Sequence, residues 1–136
     1  MSRSHMDVTV QVEMDNPACS VTEVLDRVAG KWAIGILIAA AKGPVRFTEL
    51  ERELAGISRR MLTLNLRKLE REGLLVRTVY PTVPPRVEYE CTEMARELNS
   101  TLLALVGWAK RHSGDIAQAH VTYDEAQDTR AQGARG

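Results

Sequence analysis

The basic side chains of one short segment are the residues whose type and spacing best suit a binding function. Between Ser58 and Gly73 the chain carries five cations and two carboxylates, a local net charge of +3. At about 3.6 residues per turn, apolar positions fall on one face of a helix and cations on the other. The apolar face is Leu62, Leu66 and Leu69, and the outer side carries Arg59, Arg60, Thr63, Leu64, Arg67, Lys68 and Arg71. The segment is therefore predicted to be an amphipathic helix with a basic outer face.

The ends of this helix carry residues that start and stop helices. The hydroxyl of Ser58 can accept a hydrogen bond from a first-turn amide, and Gly73 tolerates the left-handed conformation that ends many helices. Such a helix fits a DNA major groove, whose base edges present donors and acceptors that Arg and Thr can read. A solvated surface helix is the alternative that this segment alone leaves open.

The preceding residues supply the rest of a helix-turn-helix unit. Thr48-Glu49-Leu50-Glu51 has the spacing of a capping box, so a short helix is expected from Thr48 to the Ala55-Gly56 step. Two helices joined by a tight turn, the second of them basic, form a helix-turn-helix arrangement. Upstream, helices are predicted from Ser20 to Gly30 and from Lys31 to Lys42. The second is apolar almost all round and is expected to be central.

After the basic helix the hydrophobic period changes to two, which predicts a β-hairpin. Its strands are expected over 74–80 and 86–91, joined by a proline-rich tip. Thr92 is then expected to cap a last helix that reaches about His112. The apolar stripe of that helix is wider than a small domain can cover, so a partner subunit is expected.

Three helices, a basic helix and a hairpin follow the winged-helix order, and several motifs match one group of winged helices. The motifs are Ala29-Gly30-Lys31-Trp32, Arg46-Phe47-Thr48-Glu49-Leu50, Gly56-Ile57-Ser58-Arg59-Arg60-Met61-Leu62 and Tyr80-Pro81-Thr82-Val83-Pro84-Pro85-Arg86-Val87-Glu88-Tyr89, with Cys19. Through them the chain resembles the HxlR-type winged-helix transcriptional regulators. The resemblance implies a mainly α fold with a small β-hairpin wing (α+β), and DNA binding as a homodimer through the first and last helices.

The faces of the predicted helices, taken with this resemblance, give a set of expected site residues. Base-edge contacts are expected from Arg60, Thr63 and Leu64, and base or phosphate contacts from Arg59 and Arg67. Ser58 would meet a phosphate at the helix N-terminus, and Arg86 would meet the DNA backbone or minor groove unless it pairs with Glu88 or Glu90. The position of Leu64 is more often polar in the family, so the base readout of relatives is not transferred. The dimerisation residues expected are Val21, Leu25, Leu98, Leu102 and Leu105.

Cys19 is the expected site of redox control, because several family members sense oxidants or electrophiles at that position. It directly precedes the Ser20 cap, where a helix N-terminus can stabilise a thiolate. A buried structural cysteine is the alternative. Cys91 alternates with Val87 and Tyr89 and is predicted to be core.

Charge and composition set the remaining expectations. The net charge is zero, but residues 1–18 and 114–136 each carry −2, which leaves +4 in the middle, and a local patch matters more for DNA than the total. The longest apolar run, Trp32 to Ala41, is too short for a membrane span. No secretory leader opens the chain, and two widely separated cysteines favour a reduced, cytoplasmic setting.

We expect three segments. Residues 1–18 form an N-terminal extension, with a strand-like Val8, Val10, Val12 alternation and a Ser4-His5-Met6 sequence typical of an expression-vector remnant. Residues 19–113 form the winged helix-turn-helix domain with its dimerisation helix, and residues 114–136 form a polar tail.

Catalysis is the competing class of function. The histidines stand at no metal-ligand spacing from carboxylates or cysteines, and the carboxylates show no pairing, so no catalytic residue, metal or cofactor is predicted. A winged helix that contacts only other proteins, and a redox enzyme built on Cys19, are the alternatives.

Overall fold

The computed structural model describes residues 20–135, which form five helices and three strands. In chain order they are α1 (Val21–Val28), α2 (Lys31–Ala41), β1 (Val45–Arg46), α3 (Phe47–Glu53), α4 (Arg59–Arg71), β2 (Leu75–Tyr80), β3 (Arg86–Cys91) and α5 (Glu93–Arg135). The chain divides into two compact units between Asn99 and Ser100, so the second unit is the distal part of α5. The Val8–Val12 segment and Cys19 lie outside the described residues.

Three predicted helix caps are confirmed by hydrogen bonds. The hydroxyl of Ser20 accepts from the Glu23 amide at 3.4 Å, that of Ser58 accepts from the Met61 amide at 3.1 Å, and that of Thr92 accepts from the Ala95 amide at 3.3 Å. Each bond satisfies a first-turn donor that the helix itself leaves unpaired.

Glycines terminate the two helices of the helix-turn-helix unit. Gly73 follows α4 with φ +77°, and Gly56 lies in the turn after α3 with φ +89°. Only glycine adopts these angles without steric cost, which confirms the predicted stop of α4.

The predicted start of α3 is wrong: Thr48 was the expected cap, and the observed cap lies two residues earlier. The carboxylate of Glu49 accepts from the backbone amide of Arg46 at 2.9 Å, so Arg46 is the cap and the helix begins at Phe47. Glu49 was expected to be the first residue after the cap. It is instead the third residue of the helix, and its side chain folds back to accept from the amide of the capping residue.

Helix α2 forms the centre of the first unit, as its apolar sequence predicts. Ala33, Ile36, Leu37 and Ala40 are buried on it. The residues packed into the same core come from α3, α4, the sheet and the start of α5: Leu50, Leu62, Leu66, Leu69, Leu75, Cys91 and Ala95. Burial of these side chains is the main force that fixes the helices.

The sheet is antiparallel with strand order β1-β3-β2. The predicted hairpin is confirmed, with Leu75 opposite Cys91 and Tyr80 opposite Arg86. Strand β1 was not predicted. It consists of two residues that pair with β3, Val45 with Tyr89 and Arg46 with Glu88, and such a non-local contact leaves no local sequence pattern.

Helix α5 is much longer than predicted. It runs for 43 residues to Arg135, so the expected end near His112 is wrong, and the helix passes the predicted 113/114 boundary unbroken. The small polar residues beyond His112 include five alanines and no proline, and alanine is the best helix former. Among the described residues, no helix has the length and apolar character to cross a membrane.

Candidate nucleic-acid interface

The inner face of α4 is fixed in the core and its outer face is open. Leu62, Leu66 and Leu69 are each at most 2% exposed. Arg60 and Arg67 are exposed, and Leu64 keeps 38% of its surface accessible. The helix therefore presents its basic side to solvent from a rigid base, as the 3.6-residue period predicts.

The outer-face cations differ in how far they are already engaged. Within the described residues, no carboxylate oxygen lies within the 4.0 Å ion-pair limit of Arg60 or Arg67. Arg59 instead contacts α3: its Nε lies 3.8 Å from Glu51 Oε2, and its guanidinium lies 5.1 Å from the centre of the Phe47 ring. Its contact with DNA stays a prediction.

The N-terminus of α4 is the second polar feature of this surface. Ser58 is exposed, and its hydroxyl holds the amide of Met61. The positive end of the helix dipole and any remaining first-turn donors lie beside it. Such an end suits an anion such as a phosphate.

In the wing, Arg86 is held by neighbours within the sheet. Its Nε lies 3.5 Å from Glu88 Oε2, and its guanidinium is 4.4 Å from the centre of the Tyr80 ring. Glu90 pairs with Arg96 instead, at 3.4 Å. Of the two pairings considered for Arg86, the one with Glu88 forms, and it lies within β3 rather than across the hairpin.

A polar cleft separates α4 from the hairpin, and the sequence reasoning missed it. The cleft has a volume of about 370 Å³ and is lined by Thr63, Leu66, Arg67, Glu70, Arg77 and Tyr89. Arg77 of β2 lies directly opposite Tyr89 of β3. The strand alternation was visible in the sequence, but only the hairpin register puts these two side chains beside α4.

The charges around this cleft act on the Tyr89 hydroxyl. Burial is the largest influence and raises the pKa of Tyr89; Arg77 lowers it, Glu70 raises it and Arg67 lowers it. The balance leaves the pKa above its usual value. The hydroxyl is therefore protonated at neutral pH and available as a donor.

An apolar cavity lies between α1 and the start of α5. It has a volume of about 370 Å³, and its apolar lining is Val24, Leu25, Val28, Leu74, Met94 and Leu98. At its rim Arg27 donates to Glu72, with Nη1 and Oε1 2.7 Å apart. Leu25 remains 48% exposed, so this surface is open in the single chain.

The other predicted dimerisation residues are distributed between buried and open positions. Val21 and Leu98 are half-buried. On the distal part of α5, Leu102 is 4% exposed and Leu105 is 46% exposed. Leu102 is thus already buried in one chain, and a substitution there would disturb the fold as well as any interface.

The surroundings of Cys91 disfavour its thiolate form. Cys91 is buried, as predicted, and its Sγ lies 3.4 Å from the carbonyl oxygen of Leu37. Burial raises the pKa of the Cys91 thiol, which Arg96 lowers and Glu90 raises less strongly. The thiolate is the reactive form, so a redox response of this chain cannot start readily at Cys91.

The potential metal ligands of the described residues are dispersed. Among residues 20–135, no three potential ligands from His, Cys, Asp and Glu come together. His112 Nδ1 lies 3.1 Å from Asp115 Oδ2, and both side chains are exposed on α5.

Three helices before a basic fourth helix, followed by a hairpin, define a winged helix-turn-helix protein. Comparison with known proteins agrees. The sequence profile of the HxlR-like helix-turn-helix family matches residues 27–116. The chain belongs to this family, as its motifs predicted, and is a transcriptional regulator of the helix-turn-helix type.

Individual relatives support the same assignment. The chain is 43% identical over 98 residues to an uncharacterized helix-turn-helix-type transcriptional regulator of Methanothermobacter thermautotrophicus, across 72% of this chain and 75% of the relative. The solved structure of YtfH from Salmonella typhimurium matches with a TM-score of 0.69 and 35% identity, over 75% of this chain and 91% of that one. The redox regulator HypR in its reduced form matches with a TM-score of 0.67 and 38% identity, over 72% and 97%.

Proposed function

We propose that this regulator binds double-stranded DNA as a homodimer at an inverted-repeat operator, with α4 in the major groove. The observation that carries the proposal is the outer face of α4. Arg60 and Arg67 project from a helix whose opposite face is fully buried. Because these guanidiniums are not consumed by ion pairs among the described residues, they can meet phosphates or base edges without breaking an existing contact.

The readout follows from what each side chain can donate. Arg60 can make a bidentate contact with guanine O6 and N7, and Leu64 can contact a thymine methyl. Thr63 offers a hydroxyl, and Ser58 places the helix N-terminus against a phosphate. Arg59 and Arg86 are the weaker contributors, because each must give up a neighbour that holds it in the free protein.

The proposal of a homodimer is supported by exposed apolar residues on α1 and α5. On α1 and the start of α5, Leu25 and Leu98 line an apolar cavity and Leu25 is 48% exposed; on the distal part of α5, Leu105 is 46% exposed. Exposed apolar residues of this kind are candidates for a contact with a second copy. Two-fold symmetry would place two copies of α4 on successive major grooves, about 34–36 Å apart or a multiple of that spacing. A role for Leu102 and Val21 is proposed on the same grounds.

The experiment for DNA binding is selection of an operator from random DNA, followed by titration of variants. Arg60→Ala should cost about 1–3 kcal/mol on the selected operator and less on random DNA. Lys110→Ala removes one exposed charge from α5 and serves as the matched control. Equal loss for both DNAs would reduce Arg60 to a phosphate contact. If Arg60→Ala loses nothing on either DNA, α4 is not the reading helix.

Control of this binding is proposed to act through Cys19. Only two cysteines occur in the chain, and Cys91 is buried with a raised pKa. HypR, similar in structure, is a redox regulator with oxidised and reduced structures. Cys19 precedes α1 by two residues in the sequence. A small oxidant or electrophile that modifies it would then disturb the dimer and release DNA in the cytoplasm, where we expect the protein to work.

The redox proposal has its own experiment. Operator affinity is measured for the wild type and Cys19→Ser before and after diamide, and again after dithiothreitol. The wild type should lose affinity and recover it, whereas Cys19→Ser should not respond. If both proteins respond equally, Cys19 is not the sensor.

A further inference from the structure

A polar cleft lies between α4 and strands β2 and β3. If α4 enters the major groove and the wing meets the neighbouring backbone or minor groove, as the proposed function has it, one sugar-phosphate backbone lies between these two elements. Under the proposed function, that backbone passes between α4 and strands β2 and β3. The cleft lined by Arg67 of α4 and by Arg77 and Tyr89 of the hairpin occupies this gap.

The groups in the cleft are the donors that a phosphate requires. Arg67 and Arg77 contribute guanidiniums, and Thr63 and Tyr89 contribute hydroxyls. Within residues 20–135, neither guanidinium has a carboxylate oxygen within ion-pair distance. The donors are thus gathered from two separate elements, α4 and the sheet, and remain available.

We propose that this cleft binds one backbone phosphate of the operator in each subunit, with Arg77 and Arg67 as ionic partners and the Tyr89 hydroxyl as a further donor. The inference rests on the proposed function and extends it to residues outside the reading face of α4. It assigns Arg67 to the backbone rather than to a base edge. Arg77 is then a phosphate contact that adds affinity without adding sequence preference.

The Glu70 carboxylate in the cleft makes the lining more suitable for a phosphodiester than for a free phosphate ion. Two guanidiniums and the Glu70 carboxylate leave a net charge of +1 on the lining, which a phosphodiester with one negative charge neutralises. Inorganic phosphate offers the same acceptor oxygens but carries more negative charge than a phosphodiester at neutral pH. The Glu70 carboxylate repels this additional negative charge.

The experiment is a chemical double-mutant cycle. Single methylphosphonate groups, which neutralise one phosphate each, are placed along the selected operator. The wild type should lose affinity at one position in each half-site, and Arg77→Ala should lose clearly less at that position, because only Arg67 and Tyr89 remain to contact the phosphate. Arg77→Ala should itself weaken binding about equally on operator and random DNA, and should lower the salt dependence by about one counterion per subunit. Lys110→Ala should keep the wild-type profile.

Two conservative variants, which change the cleft without removing a whole side chain, test the contact with the phosphate further. Arg77→Lys keeps the charge and should keep sensitivity at the same phosphate. Tyr89→Phe removes only the hydroxyl and should weaken binding by about 3- to 10-fold, as expected for one lost hydrogen bond. Its methylphosphonate profile should differ from that of the wild type only at the phosphate that Arg77 contacts. A methylphosphonate profile that is identical in the wild type and Arg77→Ala overturns the phosphate site while the proposed function stands.

The remaining outcomes concern the source of the phosphate and the function itself. If inorganic phosphate at constant ionic strength releases operator from the wild type but not from Arg77→Ala, while the methylphosphonate profiles of the two proteins are identical, the cleft is a site for the free ion and the backbone contact is overturned. If the wild type selects and binds no DNA, the proposed function fails and the phosphate contact fails with it.

Discussion

Ser58 offers a substitution that should separate stability from DNA binding. Its hydroxyl caps α4 by accepting from the Met61 amide at 3.1 Å, so Ser58→Ala should lower the free energy of unfolding by about 1 kcal/mol. Aspartate caps a helix as well as serine does, and its charge gains about 0.3–1 kcal/mol from the helix dipole. Ser58→Asp should therefore be as stable as the wild type or more so.

DNA affinity should follow a different order. We place Ser58 against a phosphate, and a carboxylate about 4 Å from that phosphate costs about 1 kcal/mol in water and about 4 kcal/mol near a protein surface. That corresponds to a loss of roughly 5-fold to several hundred-fold in each subunit. Ser58→Ala keeps the backbone donors and should lose much less. The most stable variant should thus be the weakest binder.

The assay pairs two measurements on the same samples. Urea unfolding at one fixed protein concentration gives stability, since the stability of a dimer depends on concentration. Fluorescence anisotropy with labelled operator at one fixed salt concentration gives affinity. If Ser58→Asp binds the operator as tightly as the wild type, the N-terminus of α4 does not face a phosphate. If Ser58→Asp unfolds more readily than Ser58→Ala, the account of the cap is wrong.

Three other predictions concern the turn, the buried thiol and the dimer. Gly56→Ala should destabilise the fold by about 1–2 kcal/mol in urea unfolding, because Gly56 has φ +89°; unchanged stability would mean that the turn relaxes freely. Cys91 should resist a thiol reagent in the native protein at neutral pH and react only in urea, since burial raises its pKa; rapid native labelling of Cys19→Ser would contradict this. Leu25→Asp should give monomers in sedimentation, whereas Val76→Asp, 49% exposed on β2, should not; a dimer that survives Leu25→Asp would exclude α1 from the interface.

Local signals made much of the fold predictable. The caps at Ser20, Ser58 and Thr92 were correct because each depends on a side chain and an amide three residues later. The buried face of α4 was correct because its period is set by the helix itself. The family, and with it the winged-helix class, followed from several short motifs, of which the proline-rich one at the wing tip is the most specific.

The features that sequence missed depend on non-local contacts or on weak local preferences. Strand β1 exists only through its pairing with β3, and the cleft of Arg77 and Tyr89 exists only in the register of the hairpin. The start of α3 was displaced because both Arg46 and Thr48 precede a plausible capping glutamate, and the backbone selects Arg46. The extent of α5 was underestimated because polar composition was read as a tail, although nothing in it stops a helix.

The measurement closest to the central claim is a hydroxyl-radical footprint of the wild-type protein on its selected operator. The account predicts two protected half-sites related by a two-fold axis, with centres about one helical turn, 34–36 Å, or a multiple of it apart. Each half-site should show a major groove covered by α4 and a protected strand beside it. Protection of one unsymmetrical site, or none at any protein concentration, would contradict the homodimer that reads an inverted repeat.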